Sequence, residues 1–226
     1  EIRLSLVGSE MCIRDRSKWV AERLLMAAAS RGLAAVIIRP GYVVGDSKTA
    51  VTNTDDFLFR LIKGSAQLGL IPDMNNTINM VPVDHVARVT SLAGLAAIQS
   101  PENHQTHAAV FHVTSHPTIR YNEFLGALIE YGWNVRPVEY LEWRTALENH
   151  VLASAAAGNT GLDADSNALF PLLHFVLDDL PTSTKSPELN DANTTKLLTE
   201  AHELDVVRGV DAVSYTHLRA HETKAN

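Results

Sequence analysis

The stretch SKWVAERLLMAAASRGLAAVIIRPGYVVG, residues 17–45, decides the fold. Its first half places Val20, Ala21, Leu24, Leu25, Ala28 and Ala29 at i, i+4, i+8 spacing, the apolar stripe of a helix. Gly32 then suits the position just past a helix end. AAVIIRP, residues 34–40, is a short continuous apolar run closed by proline, the pattern of a strand covered on both faces. A helix feeding such a strand through a short connection predicts a unit of a parallel α/β sheet.

Downstream, the pattern continues. GDSKTAVTNTDD is polar and loop-like. Thr54 is the expected N-cap of a helix running to about Lys63 and the Gly64 region, with Asp55 and Asp56 in its first turn. INMVPVDHVARVTSLAGLAAI predicts a strand to Val81, a turn at Pro82 and a long helix from about Asp84. AAVFHVT, residues 108–114, predicts another strand, and Tyr121 to about Tyr131 a helix. NVRPVEYLEW is extended and leads into a helix near 141–152. ASAAAGNTGLDADSN reads as a linker, ALFPLLHFVLDDL as a short buried helix, and PTSTKSPELNDANT as irregular.

Composition narrows the class. The chain is 46% hydrophobic and 20% charged, with a net charge of −7. That balance argues against nucleic acid or an anionic membrane as a partner. No apolar run reaches the 18 or more residues of a membrane span. The single cysteine, Cys12, allows no disulfide framework. A cytoplasmic protein is the expectation. His112 and His116 share a strand face only partly, Asp178 and Asp179 point apart on a helix, and no metal site is expected.

The two ends read differently from the rest. Met11 to Asp15, written ATG TGT ATA AGA GAC and followed by AG, has a reverse complement that encodes Val213-Ser214-Tyr215-Thr216-His217 in a shifted frame. Leu6 to Glu10, written CTC GTG GGC TCG GAG, continues that reverse complement as Leu218-Arg219-Ala220-His221-Glu222. The string resembles a transposon end and sequencing-library adapter. Residues 1–16 and 213–226 are therefore expected to be translated adapter, and residues 17–212 part of one domain.

SKWVAERLL followed by IIRPGYVVG resembles the extended short-chain dehydrogenase/reductase family. There a Tyr-x-x-x-Lys pair lies on the helix before a strand ending in Arg-Pro-Gly. Residues four apart share one helix face. The resemblance implies that Lys18 holds the nicotinamide ribose and lowers the pKa of the tyrosine, which then protonates a carbonyl receiving hydride. It also implies that Pro40, Gly41, Tyr42 and Val43 line the nicotinamide pocket. Position 14, where the tyrosine would stand, holds Arg14. VPVDHVA, residues 81–87, recurs in the same family. Within it Asp84 reads as an N-cap and His85 as structural.

Most of residues 17–212 resembles, more narrowly, the thioester reductase domains of the L-2-aminoadipate reductase family. The stretches that carry this are VIIRPGYVVGDSKTAVTNTDDFLFRLIKG, LGLIPDMNNTINMVPVDHVAR, FHVTSHPTIRYNEFL and LLHFVLDDLPTSTKSPEL. The resemblance implies the later part of a Rossmann-like parallel sheet with a smaller, mainly helical substrate-side subdomain from about residue 115. It implies NADPH as cofactor and, as partner in the same polypeptide, a carrier domain presenting a phosphopantetheine thioester. The implied product is the semialdehyde of 2-aminoadipate, made for lysine biosynthesis. The 226-residue chain by itself is expected to be inactive and poorly soluble. A carboxylic acid or fatty acyl reductase, or a nucleotide-binding regulator without turnover, fits the same residues.

Overall fold

The computed structural model describes residues 9–99, 107–156, 167–178, 180 and 188–201. In chain order the helices are α1 (Ser9–Ala29), α2 (Phe57–Leu68), α3 (Val83–Gln99), α4 (Tyr121–Glu130), α5 (Tyr140–Ala156), α6 (Leu173–Asp178) and α7 (Ala192–Glu200). The strands are β1 (Val36–Pro40), β2 (Tyr42–Val44), β3 (Leu70–Asp73), β4 (Thr77–Ile78), β5 (Met80–Pro82), β6 (Ala109–Val113), β7 (Ile119–Arg120) and β8 (Arg136–Glu139). β1–β6, β2–β5 and β3–β8 pair in parallel, whereas β4–β7 is antiparallel. The expected parallel α/β class is therefore the observed one, built from short two-stranded ladders.

The chain divides into two compact units, Glu1–Gly41 with His85–Val113 and Leu189–Val206, and Tyr42–Asp84 with Thr114–Glu188 and Val207–Asn226. In the first, Val36 to Pro40 pair residue by residue with Ala109 to Val113. Ala29, Ala35, Ile37 and Ala108 form its small core, with Met26 and Val110 packed against it. The amide of Gly41 donates to the Val113 carbonyl (3.1 Å). Carbonyls alternate sides along a strand, so those of Val110 and His112 face the other edge of β6. α7 covers that edge: Asn193 Nδ2 donates to Val110 (2.8 Å) and Thr194 Oγ1 to His112 (2.7 Å). An edge that would otherwise present bare acceptors is thus satisfied.

The second unit holds the larger core. Trp143, Tyr121, Phe124, Leu58, Leu61, Met80 and Leu147 are fully buried there. α2 starts two residues later than Thr54 would place it, because the Asp56 side chain, not Thr54, accepts from the Leu58 amide (2.9 Å). It also runs past Gly64 to Leu68 and stops at Gly69, whose φ of 72° is the left-handed conformation glycine adopts freely. Gly64 does not break the helix because it is a contact point. Its carbonyl accepts from Asn167 Nδ2 (3.0 Å), and a Cβ there would lie 2.6 Å from Asn167 Oδ1 and 2.7 Å from Leu169 Cγ. The apolar ALFPLLHFVLDDL segment forms a 3₁₀ turn (Phe170–Leu172) and α6. The Tyr140 hydroxyl donates to the Val176 carbonyl (2.6 Å) at its end.

α1 departs from expectation in two ways. It begins at Ser9, eight residues before the predicted start at Ser17, since no proline or glycine interrupts residues 9–16. Its predicted core stripe is largely exposed: Val20 is 46% and Leu24 66% accessible, and burial is complete only at Ala29. The β1–β6 ladder is short, and α1 meets its start through Met26 and Ala29 alone among the core residues. Elsewhere, β2, β3, β7 and α7 were not anticipated, and the 153–167 linker, Asp179, His217 and His221 lie mostly or wholly outside the described residues.

Replacing Gly64 with alanine is expected to destabilise the chain by about 1–3 kcal/mol through overpacking against Asn167 and Leu169. Gly126→Ala, in the middle of α4 with nothing within 4 Å of its added Cβ, is expected to be neutral or to stabilise by up to about 1 kcal/mol. Urea unfolding of the two variants against the parent chain separates a packing glycine from a merely tolerated one.

Candidate active site

Ligands of open α/β folds bind beyond the carboxyl ends of parallel strands, and β1 ends at Arg39-Pro40. Arg39 is a charged residue in an otherwise apolar run. Its Nε donates to Glu22 Oε1 of α1 (2.9 Å), and its Nη2 donates to Glu22 Oε2. Its Nη1 lies 3.3 Å from His112 Nε2 of β6. His112 Nδ1 in turn lies 3.0 Å from the Asn190 carbonyl. A carbonyl only accepts, so Nδ1 carries the proton and Nε2 receives the Arg39 N–H.

Hydrogen bonds from Arg39 hold the Glu22 carboxyl below the usual carboxylate range, with the positive charge of Arg39 adding to the effect and partial burial opposing it. The same pair raises the Arg39 guanidinium. The two partners agree in direction.

These contacts orient α1. Ala29 packs at the start of β1 while Glu22 binds Arg39 at its end, so helix and strand run antiparallel. Lys18 precedes Glu22 by four residues and shares its face. One helical turn is about 5.4 Å, which carries Lys18 beyond Arg39 in the direction of Pro40 and Gly41. Lys18 is exposed, and among the described residues its ammonium has no ion-pair partner. The backbone after β1 is mostly committed. Pro40 has no amide proton, Gly41 donates to Val113, and in the second unit Tyr42 donates to Asn79 (2.7 Å). What Pro40 and Gly41 offer a ligand is therefore apolar surface and carbonyl oxygen, together with the Lys18 cation. That donor set suits the ribose hydroxyls and the flat carboxamide-bearing ring of a nicotinamide nucleotide. In the second unit, Val43 is 39% exposed.

Asp84 corrects its expected role. It lies within the first turn of α3, where it accepts from the Ser47 amide (2.9 Å) and hydroxyl (2.7 Å). It anchors the loop after β2 instead of capping the helix. That loop is also held by Asp46, which accepts from the amides of Thr49 (2.7 Å) and Lys48 (3.0 Å) and from the Thr49 hydroxyl (2.9 Å). These bonds, the Thr49 amide first, keep its carboxyl below the usual range. His85 is buried, 1% accessible. No group of three or more His, Cys, Asp and Glu side chains that could hold a metal occurs among the described residues. No described helix is long and apolar enough to cross a membrane. Sequence reasoning passed over Glu22 and His112 as partners of Arg39; the one available signal was the arginine itself, a charge in a buried-strand pattern.

Residues 15–90 match the NAD-binding family described as Male sterility protein. The chain is 50% identical over 183 residues to the L-2-aminoadipate reductase of Schizosaccharomyces pombe, covering 81% of this chain and 12% of that protein. It thus spans about an eighth of that relative's length. Among solved structures it is similar to the terminal R domain from the myxalamid PKS-NRPS biosynthetic pathway (TM-score 0.67, 26% identity, 91% of this chain and 48% of that one). A thiolation-reductase di-domain from an archaeal non-ribosomal peptide synthetase shares the fold (TM-score 0.67, 20% identity, 100% of this chain and 42% of that one).

The Glu22–Arg39 pair predicts a pH dependence. A carboxyl whose folded pKa lies below its ordinary value of 4.5 contributes stability that is present above 4.5 and lost as pH falls through the lowered value. Both side chains are partly exposed, 26% and 41%, so the contribution is expected to be at most about 1 kcal/mol. Thermal midpoints of the parent chain and Glu22→Gln should differ near pH 6 and converge near pH 3. A difference that grows on acidification would contradict the assignment.

Proposed function

We propose, from the match of residues 15–90 to an NAD-binding family and the 50% identity to an L-2-aminoadipate reductase over 81% of the chain, that this chain is part of an NADPH-dependent thioester reductase. The acyl group is 2-aminoadipate held on the phosphopantetheine of a carrier domain in the same polypeptide. It leaves as the semialdehyde, a step of lysine biosynthesis in the cytoplasm. The observation that carries the reading is Lys18, one turn from the Glu22–Arg39 tie and unpartnered among the described residues.

In this reading Lys18 donates to the ribose hydroxyls, and its positive charge lowers the pKa of a tyrosine four residues before it. Pro40, Gly41, Tyr42 and Val43 line the nicotinamide side and keep water from the reacting carbonyl. The cofactor supplies hydride when bound. The likeness to a thiolation-reductase di-domain supports a carrier as partner.

The 226-residue chain is proposed to lack turnover of its own. It contains no Gly-x-Gly pair for a dinucleotide loop, and Arg14 stands where the tyrosine is required.

In the full-length enzyme, Lys18→Ala is expected to lower kcat/KM for NADPH-dependent reduction of a carrier-bound aminoadipyl thioester by roughly 10²–10⁴-fold. Stopped-flow loss of NADPH absorbance measures it, and an unchanged rate overturns the reading. NADPH fluorescence titration of the 226-residue chain is expected to show no saturable binding.

A further inference from the structure

We infer that Arg39 is a positioning residue of this reductase site: it holds the Lys18 turn of α1 at a set height above the Pro40–Gly41 turn, with Glu22 as its grip and His112 as its brace. The inference rests on the reductase reading above.

The geometry is over-determined for a simple ion pair. Two guanidinium nitrogens of Arg39 engage the two carboxylate oxygens of Glu22. A planar fork on a planar carboxylate fixes rotation as well as distance, which a point charge cannot do. The third nitrogen reaches His112 Nε2 at 3.3 Å, and the far side of that ring meets the Asn190 carbonyl at 3.0 Å. The imidazole is therefore held at both nitrogens. The next-door carbonyl, that of His112 itself, accepts from Thr194 Oγ1 at 2.7 Å. Segments from α1, β1, β6 and the approach to α7 are locked to one guanidinium.

Stability does not account for the arrangement. Partly exposed ion pairs contribute little to it, and Arg39 and Glu22 are 41% and 26% exposed. Position does account for it. The apolar anchoring of α1 is confined to its last turns, at Met26 and Ala29, while Trp19 and Leu24 are 64% and 66% exposed. Without the fork, the half of α1 that bears Lys18 would pivot about Ala29. The Lys18 ammonium would then shift by the ångström or so that costs a catalytic group most of its effect.

The test is a set of variants of the full-length enzyme, read as kcat, KM for NADPH and thermal midpoint. Arg39→Lys keeps the charge and loses the fork. It is expected to lower kcat roughly 10- to 10²-fold, at an unchanged midpoint and with KM altered by less than about threefold. Glu22→Gln is expected to lower kcat to the same extent with KM equally spared, its midpoint falling only by the small contribution of the lost ion pair. Combining Glu22→Gln with Arg39→Met should cost no more than either alone, because residues that act as a unit are not additive. Unchanged kcat in Arg39→Lys, or additive losses in the pair, overturns the inference. So does a loss of kcat that merely follows a fallen midpoint. Should Arg39→Met fail to fold, Arg39→Lys and Glu22→Gln decide. Lys18→Ala separates the two readings: if it abolishes turnover while Arg39→Lys is silent, only the positioning role falls, whereas if Lys18→Ala is itself silent the reductase reading falls.

Discussion

A guanidinium at the carboxyl end of an apolar strand ties the first unit together. Arg39 binds both carboxylate oxygens of Glu22 and the imidazole of His112, and so joins α1, β1 and β6 at one point. Neither α1 nor the two-stranded ladder has enough apolar contact to define their relative height. Ala29, Ala35, Ile37 and Ala108 are small or few, and small side chains leave a helix free to slide. Directional bonds supply the definition that packing lacks.

The second unit relies on the opposite balance. Its cluster includes Trp143, Tyr121, Phe124 and several leucines with almost no exposure. There the polar groups refine contacts that burial has already set. Asn167 shows how: it donates to the Gly64 carbonyl and accepts from the Leu169 amide, pinning a turn onto α2 where a glycine leaves room for it. A helix–turn contact this close tolerates no side chain at residue 64, which explains a glycine in mid-helix without any appeal to flexibility.

The backbone groups at the end of β1 differ in what they leave free. Pro40 and Gly41 have no free amide proton, one by its chemistry and the other by donating to Val113. The turn is thereby left as an apolar shelf with carbonyl acceptors. The loop after β2 is secured separately, by Asp46 upon itself and by Asp84 to Ser47. Acidic residues that could be mistaken for acid–base groups thus serve as acceptors for backbone and hydroxyl donors.

Local pattern was sufficient for much of this. The run AAVIIRP announced β1, AAVFHVT announced β6, and the 121–131 periodicity announced α4 within a residue, because burial on both faces and helical spacing are properties of neighbouring residues. The sequence could not reveal that Asp56 would displace Thr54 as a cap, that α1 would keep its apolar stripe in solvent, or that Asp84 would bind Ser47 37 residues away. Nor could it show Glu22, Arg39 and His112 meeting across 17 and 73 residues of chain. Periodicity determines which face of an element is apolar. What that face meets, and which charge finds which partner, depends on how elements remote in sequence come together, and that is decided only when the chain is folded.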